Sequence, residues 1–102
     1  MNPTIIICVD DEQTILESLK IELEDAVGDE YIIEMAQGGE EALEVLSSSI
    51  EDEYEVALVI ADYIMPDMKG DELLKCIHKI SPKTLRKSLD EHGNVQRRSK
   101  TT

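Results

Sequence analysis

The sequence contains no Trp, no Phe and only three Tyr, so aromatic side chains cannot build its core. That task falls to Ile, Leu and Val. Two cysteines, Cys8 and Cys76, are too few for a disulfide framework and are expected as buried thiols acting as small hydrophobes. No apolar run approaches the ~18 residues of a membrane span, and Met1-Asn2-Pro3 lacks the charged start and apolar run of a signal peptide. A soluble, cytoplasmic protein is expected. Basic residues are also scarce over most of the chain. Residues 1–82 hold 4 Lys/Arg against 21 Asp/Glu, whereas residues 83–102 hold 6 against 2, so the net charge of −13 divides into an acidic body and a basic end. Such a body is excluded as a nucleic-acid binder, and Gln96-Arg97-Arg98-Ser99-Lys100 is expected to be part of a solvated, disordered tail.

Within 102 residues there is room for one domain. Thr4-Ile5-Ile6-Ile7-Cys8-Val9 and Val56-Ala57-Leu58-Val59-Ile60 are unbroken apolar runs rich in β-branched residues, the pattern of strands buried on both faces of a parallel sheet. Between them, Ile15, Leu16, Leu19, Leu23, Ala26 and Val27 recur at helical spacing, and Gly28-Asp29 ends that helix. Tyr31 to Met35 is a shorter strand whose single charge suggests a sheet edge. Gln37-Gly38-Gly39 is a turn, followed by a helix with Glu40 and Glu41 in its first turn and Ala42, Leu43 and Leu46 on its buried side. A third helix is predicted from Asp71 to Ile80. The order β-α-β-α-β-α implies an α/β domain over residues 1–82 with three parallel strands. Beyond it, Ser81 as N-cap, Pro82 at the first helical position and Gly93 as the stop predict a short helix to about residue 92.

Both long strands end on acids. Asp10 and Asp11 follow the first and Asp62 follows the third, at the carboxyl edge where ligands of open α/β sheets collect. With those strands as neighbours, three carboxylates converge, and two such charges about 5 Å apart repel by roughly 3 kcal/mol at an effective dielectric near 20. A divalent cation relieves that repulsion. Few, hard oxygen ligands with room left for water suit Mg²⁺ better than Zn²⁺ or a full Ca²⁺ cage. Met65 and Met68 are expected to pack the loop after Asp62, and His78 to be solvated.

Val9-Asp10-Asp11 together with Asp62-x-x-Met65-Pro66-x-Met68-x-Gly70 resembles the receiver domain of two-component response regulators, and Gly39-Glu40-Glu41-Ala42-Leu43 is similar to the start of that family's second helix. The resemblance covers residues 4 to about 82. It implies a doubly wound, flavodoxin-like sheet, here incomplete, with strand order 2-1-3 plus the C-terminal helix. It also implies that Asp62 accepts a phosphoryl group from a histidine kinase or phosphotransfer protein. Mg²⁺ would be held by Asp11, Asp62 and the Ile64 backbone carbonyl, and by Asp10 through water. Such a domain is a signalling module rather than an enzyme, self-phosphorylation and self-dephosphorylation apart.

Family receivers carry five β-α units and place Thr or Ser at the end of the fourth strand and Lys at the end of the fifth. Lys83, Thr84, Lys87 and Ser88 fall in the predicted helix, so neither role is transferred to them. Ending the sheet at the third strand would leave Val56 to Ala61 as an open apolar edge, which predicts a homodimer through that strand or through a swapped C-terminal helix. The alternative function is an interaction module, incompetent for phosphorylation, that pairs through the same edge with a second copy or a partner receiver. A phosphatase-like hydrolase ranks third, because no segment is long enough for a substrate-binding cap.

Overall fold

The computed structural model describes residues 3–62 and 65–89. Its elements run β1 (Thr4–Val9), α1 (Gln13–Val27), a 3-10 turn (Gly28–Glu30), β2 (Tyr31–Ala36), α2 (Gly39–Glu51), β3 (Glu55–Asp62), α3 (Gly70–Ile80) and β4 (Leu85–Leu89). All strands are parallel, in the order β2-β1-β3-β4. This is the parallel sheet the apolar runs imply, in the flavodoxin-like order 2-1-3 that the resemblance implies and extended by β4, with β2 at one edge.

β1 lies between β2 and β3 and must satisfy two faces at once. Ile5, Ile7 and Val9 pack toward α2 and α3, while Ile6 and Cys8 pack toward α1. Burial pushes the Cys8 thiol up to about 11, so it behaves as the expected hydrophobe. Cys76, on α3, is half-buried, and neither cysteine forms a disulfide. On α1 the buried stripe is Leu16 with Leu19, Leu23 and Val27. Ile15 and Ala26, predicted to share that stripe, are exposed instead. At 3.6 residues per turn both stand roughly 80–100° around the helix from Leu16, on the flank of the stripe. α1 closes at Gly28, whose φ of +66° is open to glycine without steric cost.

The C-terminal helix is corrected to a strand. Leu85 to Leu89 pair in parallel with Leu58 to Asp62, and residues 90–92 of the predicted helix, like the expected disordered tail, lie outside the described residues. Ser81 and Pro82 serve both structures equally well, because Pro at the second position also favours a β-turn. Here the Thr84 N–H donates to the Ser81 carbonyl (3.1 Å), closing that turn. The Thr84 hydroxyl, only 2% exposed, donates to the Val56 carbonyl (2.7 Å) and lies 2.6 Å from the Ser81 hydroxyl. A short helix presenting two leucines would bury little, whereas β4 satisfies the row of backbone groups along β3.

The open edge expected at β3 is therefore filled by the chain itself. Neither route to a homodimer foreseen from the sequence survives: β3 has no free edge and residues 85–89 offer no helix to swap. Replacing Thr84 by Val should destabilise the protein by about 1–2 kcal/mol in urea unfolding, the cost of stranding a buried carbonyl. A helical segment with Thr84 in solvent would show no such loss.

Candidate metal centre

The pairing of β1 with β3 sets the site. Val9 lies beside Ala61, so one residue further on Asp10 and Asp62 stand level at the carboxyl edge. Asp11 follows before α1 begins. Carboxylate oxygens of Asp10, Asp11 and Asp62 all come within 4.8 Å of one another. The three residues differ in setting: Asp10 is 5% exposed, Asp62 is half-buried and Asp11 is open to solvent.

Asp10 is fixed from two sides. Its N–H donates to the Ala36 carbonyl at the end of β2 (3.1 Å), and its Oδ1 accepts from the Glu12 N–H (2.9 Å). Burial is the main influence on its carboxyl, which is pushed up to about 6; the Glu12 N–H opposes this, and the charges of Asp62 and Asp11 add to it. The trio thus combines a partly desolvated acid with two carboxylates that repel it. Charge, hardness and small ligand number fit Mg²⁺, and Asp11 and Asp62 leave positions for water. Ile64, predicted to supply a carbonyl, lies outside the described residues.

The loop after Asp62 is anchored by residues whose partners the sequence does not reveal. Met65 is buried against the α2 and α3 core, and half-buried Met68 packs beside it, as expected. Asp67 reaches the start of α2: its Oδ1 accepts from the Gly39 N–H (3.1 Å) and its Oδ2 from the Glu40 N–H (3.0 Å). These bonds, that from Glu40 foremost, hold its carboxyl below the usual range. Nearby, the Gln37 side chain donates to the Gln13 side chain (2.5 Å), joining the loop before α2 to the start of α1. His78 is exposed in the last turn of α3, away from any metal cluster found among the described residues.

Comparison with known proteins decides the family. The model of the response regulator receiver domain matches residues 6–100. This chain belongs to that family. Among solved structures, the receiver resembles the Thermotoga maritima response regulator TrrA, solved in complex with Mg²⁺-BeF, at 35% identity and a TM-score of 0.72, over 90% of this chain and 73% of that one. A receiver domain protein from Clostridium thermocellum gives 31%, 0.73, 88% and 67%. The signal receiver domain of an HD domain-containing protein from Pseudomonas fluorescens Pf-5 gives 33%, 0.70, 88% and 65%. This receiver therefore spans about two thirds of the Clostridium and Pseudomonas chains. No curated protein matches it in sequence. No helix among the described residues is long and apolar enough to cross a membrane.

Lys83, Lys87 and Ser88, expected in a helix and given no family role, fall instead in β4 and the turn before it. Ser88 is buried in β4 beside Ala61, Lys87 is exposed beside Ile60, and Lys83 is exposed in the turn before β4.

The raised carboxyl of Asp10 predicts a pH dependence. An acid whose folded value exceeds its ordinary 3.8 binds its proton more tightly when folded, so the stabilisation is complete below about 4 and lost as pH rises through about 6. Thermal unfolding of the metal-free protein in chelator should show its melting temperature falling across that interval. Asp10→Asn should flatten this fall.

Proposed function

We propose that this receiver takes a phosphoryl group on Asp62 from a histidine kinase or phosphotransfer protein, with Mg²⁺ bound at the acidic edge. The observation that carries this reading is the meeting of three carboxylates within 4.8 Å at the ends of two adjacent parallel strands. The similarity to TrrA, whose structure contains Mg²⁺-BeF, supports the same chemistry. In this reading Asp11, Asp62 and the Ile64 carbonyl hold the metal, Asp10 contacts it through water, and the bound ion neutralises charge as phosphoryl moves.

A carboxylate oxygen of Asp62 forms the new bond to phosphorus, and the bond from phosphorus to the donor imidazole nitrogen breaks. The electron pair leaves on that nitrogen, and the product is an acyl phosphate. Half-burial keeps Asp62 reachable by a partner, while Asp10, held by Ala36 and Glu12, supplies fixed negative charge behind it. The protein acts as a switchable module rather than an enzyme, and a cytoplasmic location accords with these partners.

The second reading, a pairing module, moves with the sheet edge to β4. Leu85 is 65% exposed there and favours association. Arg86 and Lys87 on the same strand disfavour a second copy of β4 and favour an acidic strand.

Intact-mass spectrometry after incubation with acetyl phosphate and Mg²⁺ tests the first reading. One phosphoryl adduct is expected on the native chain and none on Asp62→Asn. A folded native chain that gains no adduct would overturn it. Binding of an acidic partner receiver in titration calorimetry, lost in Leu85→Lys, would favour the second.

A further inference from the structure

The first turn of α2 lacks its own cap. Its N-cap residue is Gly38, which has no side chain to receive the free N–H groups of that turn. Asp67 supplies the missing acceptor from the loop that follows Asp62, twenty-eight residues beyond Gly39, with one carboxylate oxygen on each of the Gly39 and Glu40 N–H groups.

The fit between the two segments is close on both sides. A Cβ added at Gly38 would come within 3.1 Å of the Asp67 carboxylate oxygens. One added at Gly39 would come within 2.8 Å of the Met68 sulfur and 2.9 Å of the Met68 Cβ, too near for either group to stay in place. The two glycines thus make room for the loop, and Asp67 fills the space with the group α2 needs. Met65, buried in the core, fixes the same loop on its other flank.

We propose that Asp67 is a positioning residue for the acidic site. By latching the loop after Asp62 to the N-terminus of α2, it holds the Asp62 carboxylate in register with Asp10 and Asp11. α2 follows β2, whose last carbonyl, that of Ala36, receives the Asp10 N–H. The latch therefore closes a circuit: Asp10 is tied to β2, β2 leads into α2, and α2 is tied through Asp67 to the loop that follows Asp62 at the end of β3. A trio of mutually repelling carboxylates needs such a circuit, because nothing in their own charges keeps them together. Asp67 touches neither metal nor phosphoryl group in this scheme.

The inference rests on the reading of the trio as a Mg²⁺ site, and the test separates the two. Native protein, Asp67→Ala and Asp67→Asn are compared by Mg²⁺ titration calorimetry, by amide hydrogen exchange at Gly39 and Glu40, and by thermal unfolding. In Asp67→Ala both amides should exchange faster and Mg²⁺ affinity should fall roughly tenfold, as for other outer-shell groups. Asp67→Asn keeps the shape but only one acceptor oxygen, and should fall between native and Ala in both measurements. Faster exchange with unchanged Mg²⁺ affinity would reduce Asp67 to a helix cap and overturn the latch while leaving the metal site standing. Absence of Mg²⁺ binding by the folded native chain would overturn both. Should Asp67→Ala fail to fold, the Asn variant alone decides, by the same pair of readings.

Discussion

Repulsion among Asp10, Asp11 and Asp62 is the constraint around which the carboxyl edge of this sheet is built. Left to themselves, three carboxylates this close would separate, or one would keep its proton. The fold prevents the first outcome by covalent and hydrogen-bonded means. Asp10 directly follows a strand buried on both faces, and Asp62 ends the strand beside it. The raised value of Asp10 shows the second outcome in part: burial and its neighbours make its charge expensive. A divalent ion at the trio would answer both, so the proposed chemistry and the stability of the fold would meet at one place.

Much of this was legible in the sequence because the signals are local. Thr4 to Val9 reads as a buried strand from its composition alone, and the structure gives it the same bounds. The acids stand directly after strand residues, so their convergence needed only the adjacency of β1 and β3. β4 was not legible for a definite reason. Ser81-Pro82 begins a helix or a turn with equal ease, and the choice is made by β3, whose backbone groups offer the segment a ladder. A rule applied within a window of a dozen residues cannot see that ladder. The role of Asp67 is not legible in the sequence, since its partners on α2 lie far back in the chain and the N-cap there is a glycine.

The same case shows how an unsatisfied edge can act within a chain as well as between chains. The apolar edge of β3 does seek a partner, and finds it within the same chain. Residues 85–89, with two basic side chains and two leucines, make an indifferent strand by composition. They become one because Thr84 is pinned beneath Val56 and delivers them to the edge in parallel register. Lys and Arg then occupy the outermost strand among the described residues, where charge is the usual guard against further pairing.

The central place of β1 has a consequence for how the chain is made. It precedes both of its neighbours in the chain, for Thr4 pairs with Tyr31 on one side and with Glu55 on the other. An apolar hexapeptide with both faces meant for burial must therefore wait until β3 has been synthesised. Parallel pairings across such separations form slowly, because closing the long intervening loops costs entropy before the contacts repay it. Until then β1 stays exposed, and a chaperone that holds extended apolar segments would find its substrate there.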